Sequence, residues 1–171
     1  DRIAGVRVLC VGDVMLDRFV YGGVDRVSPE APIPVLRIQR EDAMLGGAGN
    51  VARNLTALGA QVSFVSVIAG DEPGRAITQL IGDVRLIEPH LIHRVDGPTT
   101  VKTRYIASGA QLLRADHETA DPVDPDTAEK VAAMAEAMLA DVAAVAIPDY
   151  GKGAPADAAL TRIIAAANAR R

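Results

Sequence analysis

Short apolar runs the length of strands alternate with stretches of helical period, and that alternation leaves few folds open to the chain. Residues 6–11, 61–68 and 142–147 read as buried strands, with a weaker one at 84–87. Between and after them, residues 47–58, 73–81, 126–139 and 155–169 follow a helical period. Gly59 suits the position just past the first helix, and Pro73 suits the first turn of the second. Strands separated in this way by helices build βαβ units and a mostly parallel, doubly wound α/β sheet with helices on its faces.

Within that frame one segment points to a ligand. Leu45-Gly46-Gly47-Ala48-Gly49-Asn50 leads directly into a helical pattern. Glycines there let backbone approach closely, and a helix N-terminus favours negative charge. A glycine pair can also do no more than permit a turn. The first apolar run ends in Gly12-Asp13, with Asp17 four residues later. Ligands of open α/β sheets sit beyond the carboxyl ends of the strands, where carboxylates can accept hydrogen bonds from a polyol. Asp13 reads equally as a turn or cap residue, and Asp17 as a solvated loop residue.

Two segments break the βα rhythm. Residues 19–40 and 99–116 are extended and carry Val, Ile, Tyr and Thr, and residues 28–34 hold three prolines, too many for a helix or a central strand. Together they could form a small accessory sheet over the strand ends; a surface hairpin plus a loop is the plainer alternative.

The ordered motifs Gly12-Asp13-Val14-Met15-Leu16-Asp17, Ser28-Pro29-Glu30-Ala31-Pro32-Ile33-Pro34-Val35 and Gly46-Gly47-Ala48-Gly49-Asn50-Val51-Ala52 resemble the start of a ribokinase-type (PfkB) carbohydrate kinase. Thr99-Thr100-Val101-Lys102-Thr103-Arg104, Gln111-Leu112-Leu113-Arg114-Ala115-Asp116 and Asp149-Tyr150-Gly151-Lys152-Gly153 continue the match in order. Within that superfamily the wording is most similar to the heptose 7-phosphate kinases of lipopolysaccharide precursor synthesis, although Gly49 stands where these usually carry Ala. The resemblance implies a ribokinase-like fold with a β-sheet lid formed by the two extended segments, ATP with Mg²⁺ as donor, and a homodimer made through the lid. It further implies an acceptor site at Asp17, Gly46, Gly47 and Asn50, with Asp149 beside the sugar and Asp13 either binding sugar or ordering its loop.

A phosphorylated acceptor needs cations not engaged with ATP. Lys102 and Arg104 are two apart and so share one face of the expected lid strand, and Lys152 is a third candidate. A solvated strand face is the plain alternative for the first two, and Arg114 and Asp116 could pair with each other. The family's Gly-Ala-Gly-Asp turn, which carries the catalytic base, does not occur in the sequence. The base and most of the ATP site are therefore expected beyond Arg171, and residues 1–171 read as the sugar-binding part of one domain. A different sugar or nucleoside acceptor, or a non-catalytic sugar-binding or dimerisation module, are the alternatives.

Composition narrows the remaining classes. A 171-residue chain with 49% hydrophobic and 23% charged residues can bury a real core. A net charge of −4 without a basic run argues against a nucleic-acid surface. No apolar stretch is long and pure enough to span a bilayer, and the N-terminus does not resemble a secretory signal. The chain begins at Asp1 rather than Met, so a segment upstream is expected. Cys10, the single cysteine, reads as a small buried hydrophobe and fits a cytoplasmic protein. His90 and His93 are expected in a loop, with no metal site.

Overall fold

The computed structural model describes residues 3–170. Four strands, β1 (Arg7–Val11), β4 (Gln61–Ala69), β5 (Ile87–Arg94) and β8 (Ala144–Ala146), form one parallel sheet in the order β5-β4-β1-β8, and a long strand directly after β1 belongs to a second sheet. That strand, β2 (Val14–Val27), pairs antiparallel with β3 (Pro34–Gly47) and parallel with β6 (Val101–Ala107), which pairs antiparallel with β7 (Ala110–His117). The helices are α1 (Ala48–Ala57), α2 (Glu72–Gly82), α3 (Pro125–Met138) and α4 (Asp157–Asn168).

The central strands β1 and β4 are buried on both faces because apolar residues point to both sides, not to one only. In β1, Val8 and Cys10 face one core with Phe64 of β4, Ala48 and Ala52 of α1, and Ile77 and Ile81 of α2. Leu9 and Val11 face the opposite core, with Val65 and Val67 of β4, Val131 and Ala135 of α3, and Ile163 of α4. The period-two alternation of a strand thus serves two helix layers at once. Burial pushes the Cys10 thiol up to about 12, so it remains a protonated hydrophobe.

Helix starts follow local chemistry. Asp71 caps α2 by accepting the Gly74 N–H at 2.9 Å, with Pro73 in the first turn. Asp124 caps α3 through the N–H groups of Asp126 and Thr127, both at 3.0 Å. By contrast, α1 begins at Gly47, which brings no side chain to its N-terminus.

The second sheet occupies the two segments that break the βα rhythm, the first wider than expected at 14–47 and the second close to its expected bounds at 101–117. Its β6–β7 hairpin turns through Ser108 and Gly109, both at positive φ (50° and 79°), as a two-residue turn between twisted strands requires. The strand expected at 84–87 instead runs over β5, and His90 and His93, expected in a loop, lie in it. Pro89 is tolerated there because β5 is the outer strand, with its far side free of any ladder. At the other edge β8 is shorter than its apolar run. A groove of about 420 Å³, lined in part by Val142, Val145, Ile147, Ile163 and Ile164, opens beside it. No helix among the described residues is long and apolar enough to cross a membrane.

Candidate acceptor site

The carboxyl end of β1 is built around a buried carboxylate. Asp13 is 3% exposed and accepts three backbone N–H groups from the loop after β8: Tyr150 at 2.9 Å, Lys152 at 3.1 Å and Ala154 at 3.0 Å. Burial raises its pKa, while those three bonds pull the other way. Of the two roles the sequence left open for Asp13, the geometry supports ordering of the loop, since both carboxylate oxygens are already engaged by backbone. Its carbonyl also accepts the Ala48 N–H at 2.8 Å, joining the start of α1 to the same point. Ser66 of β4 secures the turn from β1 to β2, donating to the Gly12 carbonyl at 2.6 Å and accepting the Val14 N–H at 3.1 Å.

Asp17 lies on β2, not in a loop, and its Oδ1 accepts from Arg104 on β6 at 2.7 Å. The Arg104 guanidinium also lies 5.1 Å from the centre of the Phe19 ring. Gly46 and Gly47 are the last residues of β3, paired to Met15 and Val14. A Cβ at Gly46 would stand 2.5 Å from Asp17 Oδ2, and one at Gly47, whose φ is 54°, would stand 2.4 Å from the Asp13 carbonyl oxygen. Gly46 is therefore needed for the Asp17 carboxylate to lie against β3, and Gly47 for the Asp13 carbonyl to reach the start of α1. Asn50 is exposed in the uncapped first turn of that helix. Asp149 turns back on its own loop and accepts the Gly151 N–H at 2.8 Å.

Lys102 and Arg104 share one face of β6, as their spacing requires, but neither stands free. Lys102 Nζ donates to Asp116 at 3.0 Å and to Glu118 at 2.8 Å, and Lys152 Nζ donates to the other oxygen of Glu118 at 2.7 Å. Arg114 and Asp116 do pair, at 2.9 Å. Partial burial works against the Lys102 charge, but its bonds to Glu118 and Asp116 outweigh that and raise its pKa. Lys102 and then Lys152 hold the Glu118 carboxyl below its usual range. Glu118 thereby links Lys102 to Lys152 and so to Asp13, Asp17 pairs with Arg104 beside Gly46, and Asn50 and Asp149 join these only through the helix and the loop that carry them.

Several contributors went unnoticed in the sequence. Glu118 continues the i, i+2 series Arg114, Asp116, and that spacing opposite Lys102 was its available signal. Asp71 accepts the Thr99 N–H at 2.9 Å and its hydroxyl at 2.7 Å, while Thr99 accepts the Ala69 N–H at 2.8 Å. This joins the cap of α2 to the segment entering β6. Arg18 of β2 pairs with Glu72 of α2 as a second tie between sheet and core. Neither tie has a short-range sequence signature. Among the described residues, no group of three His, Cys, Asp or Glu side chains is placed to hold a metal ion.

Comparisons with known proteins agree with this architecture. The profile of the pfkB family carbohydrate kinases matches residues 6–171. The chain is 49% identical over 169 residues to a bifunctional protein HldE of Paramagnetospirillum magneticum, covering 99% of this chain and 35% of that protein. It is 50% identical over 151 residues to the HldE of Rhodospirillum rubrum, covering 88% of this chain and 30% of that protein. The chain thus spans about a third of the length of these curated relatives. Among solved structures, a carbohydrate kinase from Agrobacterium tumefaciens superposes with a TM-score of 0.68 at 21% identity, over 96% of this chain and 50% of that one. The tetrameric inhibited form of phosphofructokinase-2 from Escherichia coli gives 0.68 at 19% identity, over 97% and 52%.

The carboxylates set a pH dependence. Burial disfavours the Asp71 charge, but the donors from Thr99 and Gly74 outweigh it and lower its pKa, and Glu118 is lowered likewise. A carboxylate with a lowered folded pKa contributes stability that is present above its ordinary value, 3.8 for Asp71 and 4.5 for Glu118, and is lost as pH falls. Asp13 opposes them, since its raised folded pKa means that acidification relieves a burial cost. The melting temperature should therefore decline from roughly pH 5 to pH 3, and Asp71→Asn should flatten that decline. A wild-type melting temperature that is level or rising over this range would contradict the assignment.

Proposed function

Because the chain belongs to the pfkB family of carbohydrate kinases, we propose that it forms the acceptor-binding part of an ATP-dependent kinase. Its acceptor in this reading is D-glycero-D-manno-heptose 7-phosphate, phosphorylated on the anomeric hydroxyl in lipopolysaccharide precursor synthesis. What supports the reading is that Asp17, assigned to the sugar, lies opposite Lys102 in the strand register and pairs with Arg104, both assigned to a phosphate. Asp17, Gly46, Gly47 and Asn50 stand at the strand end, and Lys102, Arg104 and Lys152 join the same hydrogen-bonded set. The choice of heptose rests on the motif wording shared with the heptose kinases.

Each group then has a task. Asp17 accepts hydrogen bonds from acceptor hydroxyls, in an orientation fixed by Arg104. The uncapped N-terminus of α1 and Asn50 offer donors to a sugar oxygen. Asp149 borders the sugar from the opposite loop. Lys102 and Lys152 receive the 7-phosphate as point charges. Phosphoryl transfer depends on positioning and charge more than on covalent help, so holding one hydroxyl in line is this chain's contribution. The donor is ATP with Mg²⁺; the described residues offer no metal-holding cluster, and the base and nucleotide belong to the length of the relatives that this chain does not span.

Arg104 is less suited to gripping phosphate than its spacing suggests, because Asp17 already takes it. That all three cations are paired favours a second reading, an acceptor without phosphate such as another sugar or a nucleoside. We assign the reaction to the cytoplasm, in keeping with the unpaired Cys10. The second sheet acts as lid and as homodimer surface; exposed Val24, Ile38 and Leu113 on its strands support this, and a full-length protein sedimenting as a monomer at micromolar concentration would refute it.

The readings separate by kinetics of the full-length protein. Lys102→Ala should raise KM for the heptose phosphate about tenfold or more, the scale of one charge-assisted bond, and leave KM for Mg-ATP nearly unchanged. An unchanged KM for the sugar phosphate would favour the unphosphorylated acceptor. Failure of the wild-type protein to phosphorylate any sugar phosphate would overturn the heptose assignment.

A further inference from the structure

The carboxylate of Glu118 sits between two lysines that come from different parts of the fold. Lys102 reaches it from β6 of the second sheet at 2.8 Å, and Lys152 from the loop after β8 at 2.7 Å. Each lysine takes a different oxygen, so one carboxylate spans both. Asp116 keeps the Lys102 ammonium in place without Glu118, and Asp13 holds the backbone that carries Lys152. Glu118 itself follows directly after β7 and makes no other hydrogen bond to a side chain among those found for the described residues. It is the one member of the group that can leave without dismantling a strand or a loop.

We propose that Glu118 is an internal counter-anion occupying the seat of the acceptor's phosphate, and that it makes the site selective for a phosphomonoester dianion. The inference rests on the reading that Lys102 and Lys152 receive the phosphate. Its charge balance is specific. Lys102, Lys152, Arg104 and Arg114 are linked through ion pairs to three carboxylates, Asp17, Asp116 and Glu118. A dianion added beside Glu118 leaves an excess of negative charge. A dianion that replaces Glu118 faces four cations with four negative charges, and the glutamate swings into water at little cost because it is already partly exposed. A neutral sugar gains nothing from the exchange, and a monoanion only substitutes one single charge for another. Displacing Glu118 costs every anion the same, so the seat goes to a ligand that pairs with the two lysines better than a carboxylate does: a dianion gains by the exchange and a monoanion breaks even. With Glu118 absent, the lysines would attract any small anion.

Calorimetric titration of the full-length protein decides this, using inorganic phosphate at pH 8, acetate and heptose 7-phosphate as separate probes. Glu118→Gln should tighten phosphate binding about tenfold and bring acetate binding into the detectable range. Glu118→Asp, which keeps the charge, should not tighten either. Thermal unfolding without ligand checks that both variants fold. Weaker phosphate binding in Glu118→Gln, or no change, would overturn the proposal, because Glu118 would then position the lysines or stand apart from the anion. That result leaves the acceptor assignment intact as long as the wild-type protein binds heptose 7-phosphate. If the wild-type protein binds neither phosphate nor the sugar phosphate, the underlying reading fails and the proposal with it.

Discussion

One buried carboxylate holds the site region together. Asp13 receives three N–H groups from residues 150–154, so the loop after β8 is drawn onto the end of β1. Burying a charge costs free energy unless hydrogen bonds replace its water, and here three backbone donors do so. The same residue's carbonyl takes the first N–H of α1. The glycine at 47 is what lets that helix start so close to Asp13. Loop, strand end and helix start thus meet at one point, and Lys152 is delivered to Glu118 as a consequence. Removing the Asp13 carboxylate would leave three backbone donors, that of Ala154 buried and the other two partly so, without this partner.

The second sheet is tied to this point twice over. Its first strand, β2, follows β1 through the turn held by Ser66, and the entry to β6 is held by Thr99 on Asp71. Such ties fix where Asp17, Lys102 and Arg104 can be. The three cations are presented already neutralised by Asp17, Asp116 and Glu118. A pre-paired cation holds its position at little cost in side-chain entropy, but a ligand must then compete with the carboxylate that holds it. Ordering and competition are two consequences of the same ion pairs.

Most of the architecture was legible because parallel strands buried on both faces announce themselves as unbroken apolar runs. The strands β1 and β4, Gly59 after α1, Pro73 in the first turn of α2, and the cation pair on β6 all follow from local chemistry. β5 escaped because it is an edge strand: Glu88, Pro89, His90 and His93 are acceptable where one side has no ladder, so periodicity gives no sign of it. The glycine segment read as a loop but completes β3, since its need for glycine comes from Asp17 and the Asp13 carbonyl, residues far away in sequence. The pairing of Glu118 with Lys152, 34 residues on, is likewise a tertiary fact. Local pattern located the candidate residues, and tertiary contact decided which of them are free.

The central claim is that the strand end beneath the second sheet receives a phosphorylated sugar. Hydrogen exchange of the full-length protein with and without heptose 7-phosphate tests it most directly. The account predicts added protection in residues 13–17, 46–50, 101–104 and 149–154, and no comparable change along β5 or beside β8. Protection confined to those edges, or none at saturating sugar phosphate, would contradict it.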